Sequence, residues 1–171
     1  RSAGDMPVHI QKDMKINKTI PVVGALILLC SALSFRVQAQ VIIEELQQAE
    51  LPLALIPDAR KKIVLKPNGN LAAATNADIV GGHAVSGHYR ISSDTEQSIT
   101  IDVMSTEDDP KIVLKNFKLK YQGVTYKKPP VTGLPSPGSG EDLFIGFTVI
   151  LKSGAGEGER FLSYTIDVIE E

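Results

Sequence analysis

Two stretches near the C-terminus alternate apolar and polar residues with a period of two, and this pattern constrains the fold more than any other feature. Successive side chains of a strand point to opposite faces, so each stretch would place its apolar residues on one face. The first stretch supplies Leu143, Ile145, Phe147, Val149 and Leu151, and the second supplies Leu162, Tyr164, Ile166 and Val168. A Gly-rich segment, 154–158, separates them. We therefore expect Asp142–Val168 to form the closing hairpin of an antiparallel β-sandwich, with Leu162–Val168 as the closing strand.

Short extended segments also punctuate the rest of the chain at fairly even spacing. They are Val41–Leu46, Ile63–Lys66, Asn76–Gly82, Gly87–Ser92, Ser98–Val103, Ile112–Leu114 and Phe117–Tyr121. Pro67–Asn70 is a strong turn signal, and Thr132–Gly140 is the longest loop rich in Gly and Pro. Ile79 and Val80 are candidate core residues. The pattern predicts an all-β fold: a single immunoglobulin-like antiparallel β-sandwich that covers residues 40–171.

The N-terminal part has the organisation of a secretory leader. Lys15 and Lys18 precede the apolar stretch Ile20–Leu33, and Val37–Ala39 offers a cleavage site with small residues. We expect a cleaved signal peptide over residues 14–39, preceded by an upstream segment, 1–13, that is not native to the mature protein. The alternative is an uncleaved anchor, but the apolar stretch is shorter than the roughly 18–20 residues that a membrane span requires.

Cleavage would remove the one cysteine, Cys30, and leave a mature chain without disulfides or a thiolate nucleophile. The mature chain would carry 13 basic and 18 acidic residues, no Trp and few aromatics. This composition argues against a nucleic-acid-binding protein and against an aromatic platform for stacking sugars or bases. We expect no membrane association after the signal is removed.

Several motifs between Leu51 and Glu170 resemble the bacterial exported domain-of-unknown-function family numbered forty-four hundred and two. The motifs are KIVLKPNGN, ADIVGGHAVSGHYRIS and SITIDV within Lys62–Val103, the pair Asn116-Phe117, the strand Phe144-Ile145-Gly146, and the final element Gly158–Val168. The chain departs from the family pattern in three places: at Leu53–Ile56, at Tyr89, where Phe is usual, and at Phe161, where Tyr is common. The resemblance implies an exported β-sandwich similar to pilus and fimbrial subunits in size, leader and closing strand.

The residues that could carry chemistry form incomplete sets. His83 and His88 lie five residues apart in a Gly-rich stretch, but no third metal ligand accompanies them, so we treat them as a candidate ligand loop without a metal. Glu107, Asp108 and Asp109 lack the spacing of a calcium loop. The glycines of 154–158 would join two strands and would not open a phosphate-binding helix. We predict no enzymatic activity, no metal and no cofactor.

The sequence therefore favours an exported structural or adhesive protein that acts through surface contacts or strand addition, as a pilus-like subunit does. Its partners would be other copies of itself or other exported β-sandwich subunits. Gln40–Leu46 is placed where a donor strand would be, with Val41 and Ile43 as the donor side chains. The same residues could instead form an ordinary first strand on their own sheet.

Two other functions stay open at this point. One is a periplasmic module that binds a glycan or small ligand through the loops Gly81–His88 and Thr132–Gly140. The other is an enzyme that uses His83 or His88.

Overall fold

The alternating segments form antiparallel strands, and no helix occurs among the residues that the structure describes. The computed structural model describes residues 40–54, 58–155 and 160–171, which belong to one unit, Ala39–Glu171. The predicted upstream segment and signal peptide lie outside the described residues. The strands are β1 Ile42–Gln47, β2 Glu50–Leu51, β3 Leu53–Ala54, β4 Lys61–Leu65, β5 Ile79–Gly81, β6 Gly87–Ser92, β7 Ile99–Ser105, β8 Ile112–Tyr121, β9 Val124–Lys127, β10 Val131–Leu134, β11 Glu141–Leu151, β12 Arg160–Phe161 and β13 Tyr164–Glu170.

Two main sheets pack over one apolar core, an arrangement consistent with a β-sandwich. The first sheet has the order β1-β6-β11-β8-β9, with β4 also paired to β11, and the second has the order β10-β7-β13. Two small pairs, β12-β2 and β3-β5, lie outside these sheets. Phe117 and Phe147 of the first sheet contact Tyr164 of the second, with ring centroids 6.1 and 5.7 Å apart. The core cluster contains buried residues of both sheets.

Strand β11 is the centre of the first sheet, because three strands pair with it. On one side it pairs with β8 from Leu143 to Leu151. On the other side β6 pairs with Glu141–Ile145 and β4 pairs with Phe147–Leu151. Gly146 lies at the changeover, and the backbone that leaves β4 passes directly over it. A side chain at this position would fill the space that the crossing backbone occupies.

A bulge in β8 keeps its two apolar segments on the same face. Leu114 and Phe117 are three residues apart, a spacing that would send them to opposite faces of a regular strand. The ladder between β8 and β11 shifts register here, and Asn116 adopts a left-handed φ of 53°. The extra residue resets the alternation, so that both Leu114 and Phe117 are buried. The segments predicted separately as Ile112–Leu114 and Phe117–Tyr121 are thus one strand.

The predicted closing hairpin is wrong. Its two strands do form, but β11 lies in the first sheet, whereas β13 pairs with β7 in the second sheet. Strand β13 begins at Tyr164, so Leu162 precedes it, although Leu162 is 2% exposed and belongs to the core. The alternation predicted the buried faces correctly, but it contains no information about which strand is the partner.

Three smaller expectations are also corrected. Ile79 and Val80 are exposed by 37% and 54%, because β5 pairs only with the short strand β3 and has no sheet over it. Part of the predicted loop Thr132–Gly140 is strand β10, which pairs with β7. Strand β9 was not predicted. Its signal is the pair Gln122-Gly123, both with positive φ, which forms a two-residue hairpin turn after β8.

We predict that Gly146→Ala destabilises the protein strongly. A Cβ atom on Gly146 would lie 2.5 Å from the Pro67 nitrogen and 2.6 Å from the Leu65 carbonyl oxygen. Both are backbone atoms, so relief requires the crossing chain to move and β4 to lose pairing. The free energy of unfolding, measured by urea denaturation, should fall by at least about 2 kcal/mol.

Gly81→Ala is the matched control, because a Cβ atom there meets nothing within 4 Å. It should change the free energy of unfolding by less than about 1 kcal/mol. Equal effects of the two substitutions would show that the crossing over Gly146 is not the constraint described here.

Candidate functional site

An open groove of about 480 Å³ lies between an edge of the first sheet and an edge of the second. Its apolar lining comes from Ile43 of β1, Tyr89 of β6, Leu162 just before β13, and Tyr164 and Ile166 of β13. Glu45, Gln48, Thr106 and Ser163 add polar groups to the lining. The groove exists because the second sheet, with three strands, is narrower than the first sheet, which has five strands side by side. One side of the core is therefore left partly uncovered.

The edge of β13 that faces the groove has no strand beside it in the part of the chain that the structure describes. Strand β13 pairs with β7 alone. Its inward residues Tyr164, Ile166 and Val168 pack against the core but are only half-buried, whereas the inward residues of β7 are almost fully buried. An unpaired edge offers backbone N–H and C=O groups to an incoming strand. The predicted closing strand is thus an edge strand with an incomplete cover.

Strand β1 forms the opposite wall and is the most weakly packed long strand of the first sheet. It pairs with β6 from Ile42 to Gln47 and lies at the edge of the sheet. All six of its residues are exposed. Of the predicted donor residues, Val41 is half-buried against the core, and Ile43 lies opposite Ile91 on the inward face with 38% of its surface exposed. Within the single chain this segment is thus a first strand on its own sheet, the alternative that the sequence left open, and it lies at the sheet edge.

A hydrogen-bonded network joins the two walls at the floor of the groove. The Tyr89 hydroxyl lies 3.0 Å from the Tyr164 hydroxyl and 3.1 Å from Glu45 Oε1. Because a carboxylate only accepts, Tyr89 donates to Glu45, and Tyr164 donates to Tyr89. The Tyr164 hydroxyl occupies the space that a Cβ atom on Gly87 would need. These contacts hold β1, β6 and β13 in a fixed relation.

Burial raises the pKa values of both tyrosines. The pKa of Tyr89 rises to about 12, first because burial penalises the phenolate and then because the Glu45 carboxylate is close, and the bond from Tyr164 opposes the rise. The pKa of Tyr164 is raised further, chiefly by burial and also by the hydrogen bond that it donates to Tyr89. Both hydroxyls are therefore neutral donors at physiological pH, and neither is suited to act as a base.

The two histidines predicted as a ligand loop do not line this groove. His83 is exposed in the segment between β5 and β6. His88 lies in β6 on the outer face of the first sheet, where its ring stacks on Phe144 with centroids 4.3 Å apart. Its Nε2 atom is 3.3 Å from Asp142 Oδ1. Within the described ranges no group of three or more His, Cys, Asp or Glu residues is placed to hold a metal ion.

The two loops proposed for a small ligand also do not form one site. Ala84, Val85 and Ser86 of the first loop line a groove of about 350 Å³ on the outer face of the first sheet, together with Lys120 and Phe144. Thr132–Leu134 of the second loop belong to strand β10 in the other sheet. Gly140 at the end of this loop lines a further groove with Lys120 and Phe144.

Sequence reasoning missed two features of these surfaces. The first is the pairing of Tyr89 with Tyr164, which are 75 residues apart and meet only because the sheets face each other. The second is the cluster of lysines on the outer face of β8 and β9. The alternation of Lys118 and Lys120 with Phe117, Leu119 and Tyr121 predicted their outward direction, but not what lies beside them.

Comparison with family models, with curated proteins and with solved structures finds no match for this chain. None of the described residues forms a helix that is long and apolar enough to cross a membrane. The groove and the outer face must therefore be interpreted from their own chemistry.

We predict that the tyrosine pair makes the fold sensitive to alkaline pH. Both pKa values are raised above the value of about 10 that tyrosine has in an unfolded chain. Folding therefore favours the neutral hydroxyls. Their contribution to the free energy of unfolding is complete below pH 10 and is lost as the pH rises towards 12. The midpoint of urea unfolding should fall over this range in the native sequence and fall less in the double variant Tyr89→Phe/Tyr164→Phe.

Tyr121→Phe serves as the comparison. The Tyr121 hydroxyl donates to the Pro135 carbonyl oxygen away from the groove, and burial raises its pKa to about 12 as well. In Tyr121→Phe, the fall in the urea midpoint at alkaline pH that is due to Tyr89 and Tyr164 should remain. The same loss in the double variant as in the native sequence would show that Tyr89 and Tyr164 do not carry it.

Proposed function

We propose that this chain is an exported structural or adhesive subunit with an immunoglobulin-like β-sandwich, which assembles with other copies of itself by strand addition, as pilus-like subunits do. The observation that carries the proposal is the edge of β13 that has no partner strand among the described residues and that borders an open groove lined by both apolar and polar side chains. The predicted leader and the resemblance to an exported family support the same function.

Strand addition suits this groove because it satisfies the backbone and the side chains together. An incoming extended segment would hydrogen-bond to the free edge of β13. Every second side chain of that segment would point into the groove and cover Tyr89, Tyr164 and Ile166. The second sheet would gain a fourth strand, and the half-exposed inward face of β13 would become part of a closed core.

The donor that we propose is the segment 40–47 of a neighbouring copy. In the single chain this segment is held mainly by its ladder to β6, since all the side chains of β1 are exposed. Its release costs the partial burial of Val41 and Ile43 and the hydrogen bond from Tyr89 to Glu45, and it frees the wall of the groove that Ile43 and Glu45 form. The released segment would then pair with β13 of the neighbour instead of β6 of its own chain.

The pattern of the donor fits the acceptor. Val41, Ile43 and Glu45 share the inward face, as their spacing by two residues and their position opposite Ile91 and Tyr89 require. Two apolar side chains would enter the apolar part of the groove. The carboxylate of the neighbour's strand would accept from the Tyr89 hydroxyl, as Glu45 does in the single chain.

Light scattering on chains that span Gln40–Glu171, with and without Gln40–Leu46, tests this proposal. We expect oligomers whose fraction rises with concentration, a loss of these oligomers on truncation, and binding of a synthetic peptide of residues 40–47 to the truncated chain. Ile166→Lys places a charge in the groove and should weaken peptide binding by at least about tenfold, as removal of an interface anchor does.

Ile169→Lys is the matched control, because Ile169 belongs to the same strand but faces outward with 56% of its surface exposed. It should leave assembly and peptide binding unchanged. If the truncated chain does not fold, the two lysine variants in the longer chain still separate the outcomes. A chain that stays monomeric at all concentrations, or an assembly that Ile166→Lys and Ile169→Lys affect equally, would refute strand addition.

A further inference from the structure

The outer face of the first sheet carries a groove of about 310 Å³ that is lined by positive charge. Lys118 and Lys120 of β8 and Lys66, which follows β4, contribute their side chains to it. Asn68 and Thr125 add an amide and a hydroxyl group. No carboxylate lines this groove among the described residues, although acidic residues outnumber Lys and Arg in the whole sequence by 20 to 18. Positively charged side chains are therefore concentrated in this groove, although the whole sequence has a net negative charge.

Among the described residues, no carboxylate pairs with these lysines. The ion pairs of those residues join Lys61 to Asp78 and Arg90 to Asp142, and His88 Nε2 lies 3.3 Å from the same Asp142 carboxylate. No carboxylate among those residues lies within 4.0 Å of the ammonium groups that line the groove. Asp142, which is held by its two partners, stands on the neighbouring part of the face and does not enter the groove.

The register of the sheet also forces like charges together. Lys118 lies directly opposite Lys127 in the ladder between β8 and β9. Side chains at such positions are about 5 Å apart at Cβ, and like charges there are destabilising. Lys118 and Lys120 are separated by two residues on one face, which is about 7 Å. This arrangement costs stability in the free protein, and a bound anion would remove the repulsion.

The lining beside the lysines indicates the class of the anion. The adjoining groove of about 350 Å³ shares Pro67, Asn68 and Lys120 with the first, and adds Gln47 and Ser86. The two grooves thus place hydroxyl and amide groups next to the charges, and each has the size of a small-ligand site. The charged groove has no aromatic ring, so it lacks the platform on which bases stack. In the adjoining groove His88 stacks on Phe144, which leaves that ring less open to a base.

We propose that this face binds an acidic saccharide, in which a carboxylate or sulfate group contacts Lys66, Lys118 and Lys120 and the sugar hydroxyls bind Asn68, Thr125 and Ser86. Charge-assisted hydrogen bonds from lysine supply the affinity, and neutral hydrogen bonds in the adjoining groove recognise the sugar. The site lies on the outer face of the first sheet, whereas the strand-binding groove lies between the sheets. Gln47 of the proposed donor segment lines the adjoining groove but not the charged groove, so the lysine variants test this site independently of strand addition.

Isothermal titration calorimetry with polygalacturonic acid tests this site. We expect binding that weakens as salt concentration rises, and no binding of neutral dextran under the same conditions. The double variant Lys118→Gln/Lys120→Gln should weaken binding by at least about tenfold, because two charge-assisted contacts are lost. Its melting temperature without ligand should stay the same or rise, since the repulsion with Lys127 is reduced. A merely structural role of these lysines would lower it.

The matched control removes the same charge elsewhere. Lys111→Gln/Lys152→Gln changes two exposed lysines whose ammonium groups contact the carbonyl oxygens of Gly154 and Pro110, outside both grooves. This variant should bind polygalacturonic acid within about twofold of the native protein, because only long-range charge is lost. Thr125→Val should weaken binding of the polymer without changing its dependence on salt.

The remaining outcomes overturn the proposal. Absence of binding to polygalacturonic acid, or equal losses in the two double variants, would show that these lysines form no site. Equal affinity for a 20-base-pair DNA duplex or for poly-glutamate, with the same dependence on Lys118 and Lys120, would assign the face to polyanions in general and not to saccharides.

Discussion

The pairing of β11 with three strands is the constraint on which the rest of the first sheet depends. One side of β11 accepts β8 along almost its whole length, and the other side is divided between β6 and β4. The division requires the chain that leaves β4 to cross β11 at Gly146. The backbone of 65–67 can come this close to Gly146 because glycine has no Cβ atom. The bulge at Asn116 lies on the opposite side of β11 at nearly the same level. The bulge keeps the apolar residues of both halves of β8 facing the core at the level where the partner of β11 on its other side changes from β6 to β4.

The unequal sizes of the two sheets follow from this use of strands. The first sheet takes β1, β4, β6, β8, β9 and β11, and leaves three strands for the second. The core beneath β7 is closed, because β10 and β13 flank that strand, but the core beneath β13 is closed only by the Tyr89–Tyr164 contact and by the thin wall of β1. Exposed strand edges are usually covered or charged in natural proteins. Here one is left beside apolar surface, which is the physical basis for the proposed assembly.

The surfaces of the molecule differ in chemistry as a result of the same architecture. The side of the sandwich between β1 and β13 has a groove of mixed polar and apolar lining that contains the neutral tyrosine pair. The outer face of the first sheet gathers Lys66, Lys118 and Lys120 without a carboxylate in their groove. An assembled form that used the first surface for contacts between copies would leave the second surface available on each copy. A polymer of this kind would then present a repeated row of cationic sites, and repeated sites increase avidity for a polymeric ligand.

The sequence by itself determined the strands and their faces, because the alternation of side chains depends only on neighbouring residues. It predicted the inward faces of β11 and β13, the turn after β4, and a first strand near residues 41–46. It could not predict that β11 and β13 lie in different sheets, since backbone hydrogen bonds are the same for every residue type and a strand pattern does not specify its partner. The tyrosine pair, the open groove and the lysine cluster likewise join residues that are distant in the chain. The tertiary structure decided these features, because they depend on which sheet edges and faces come together.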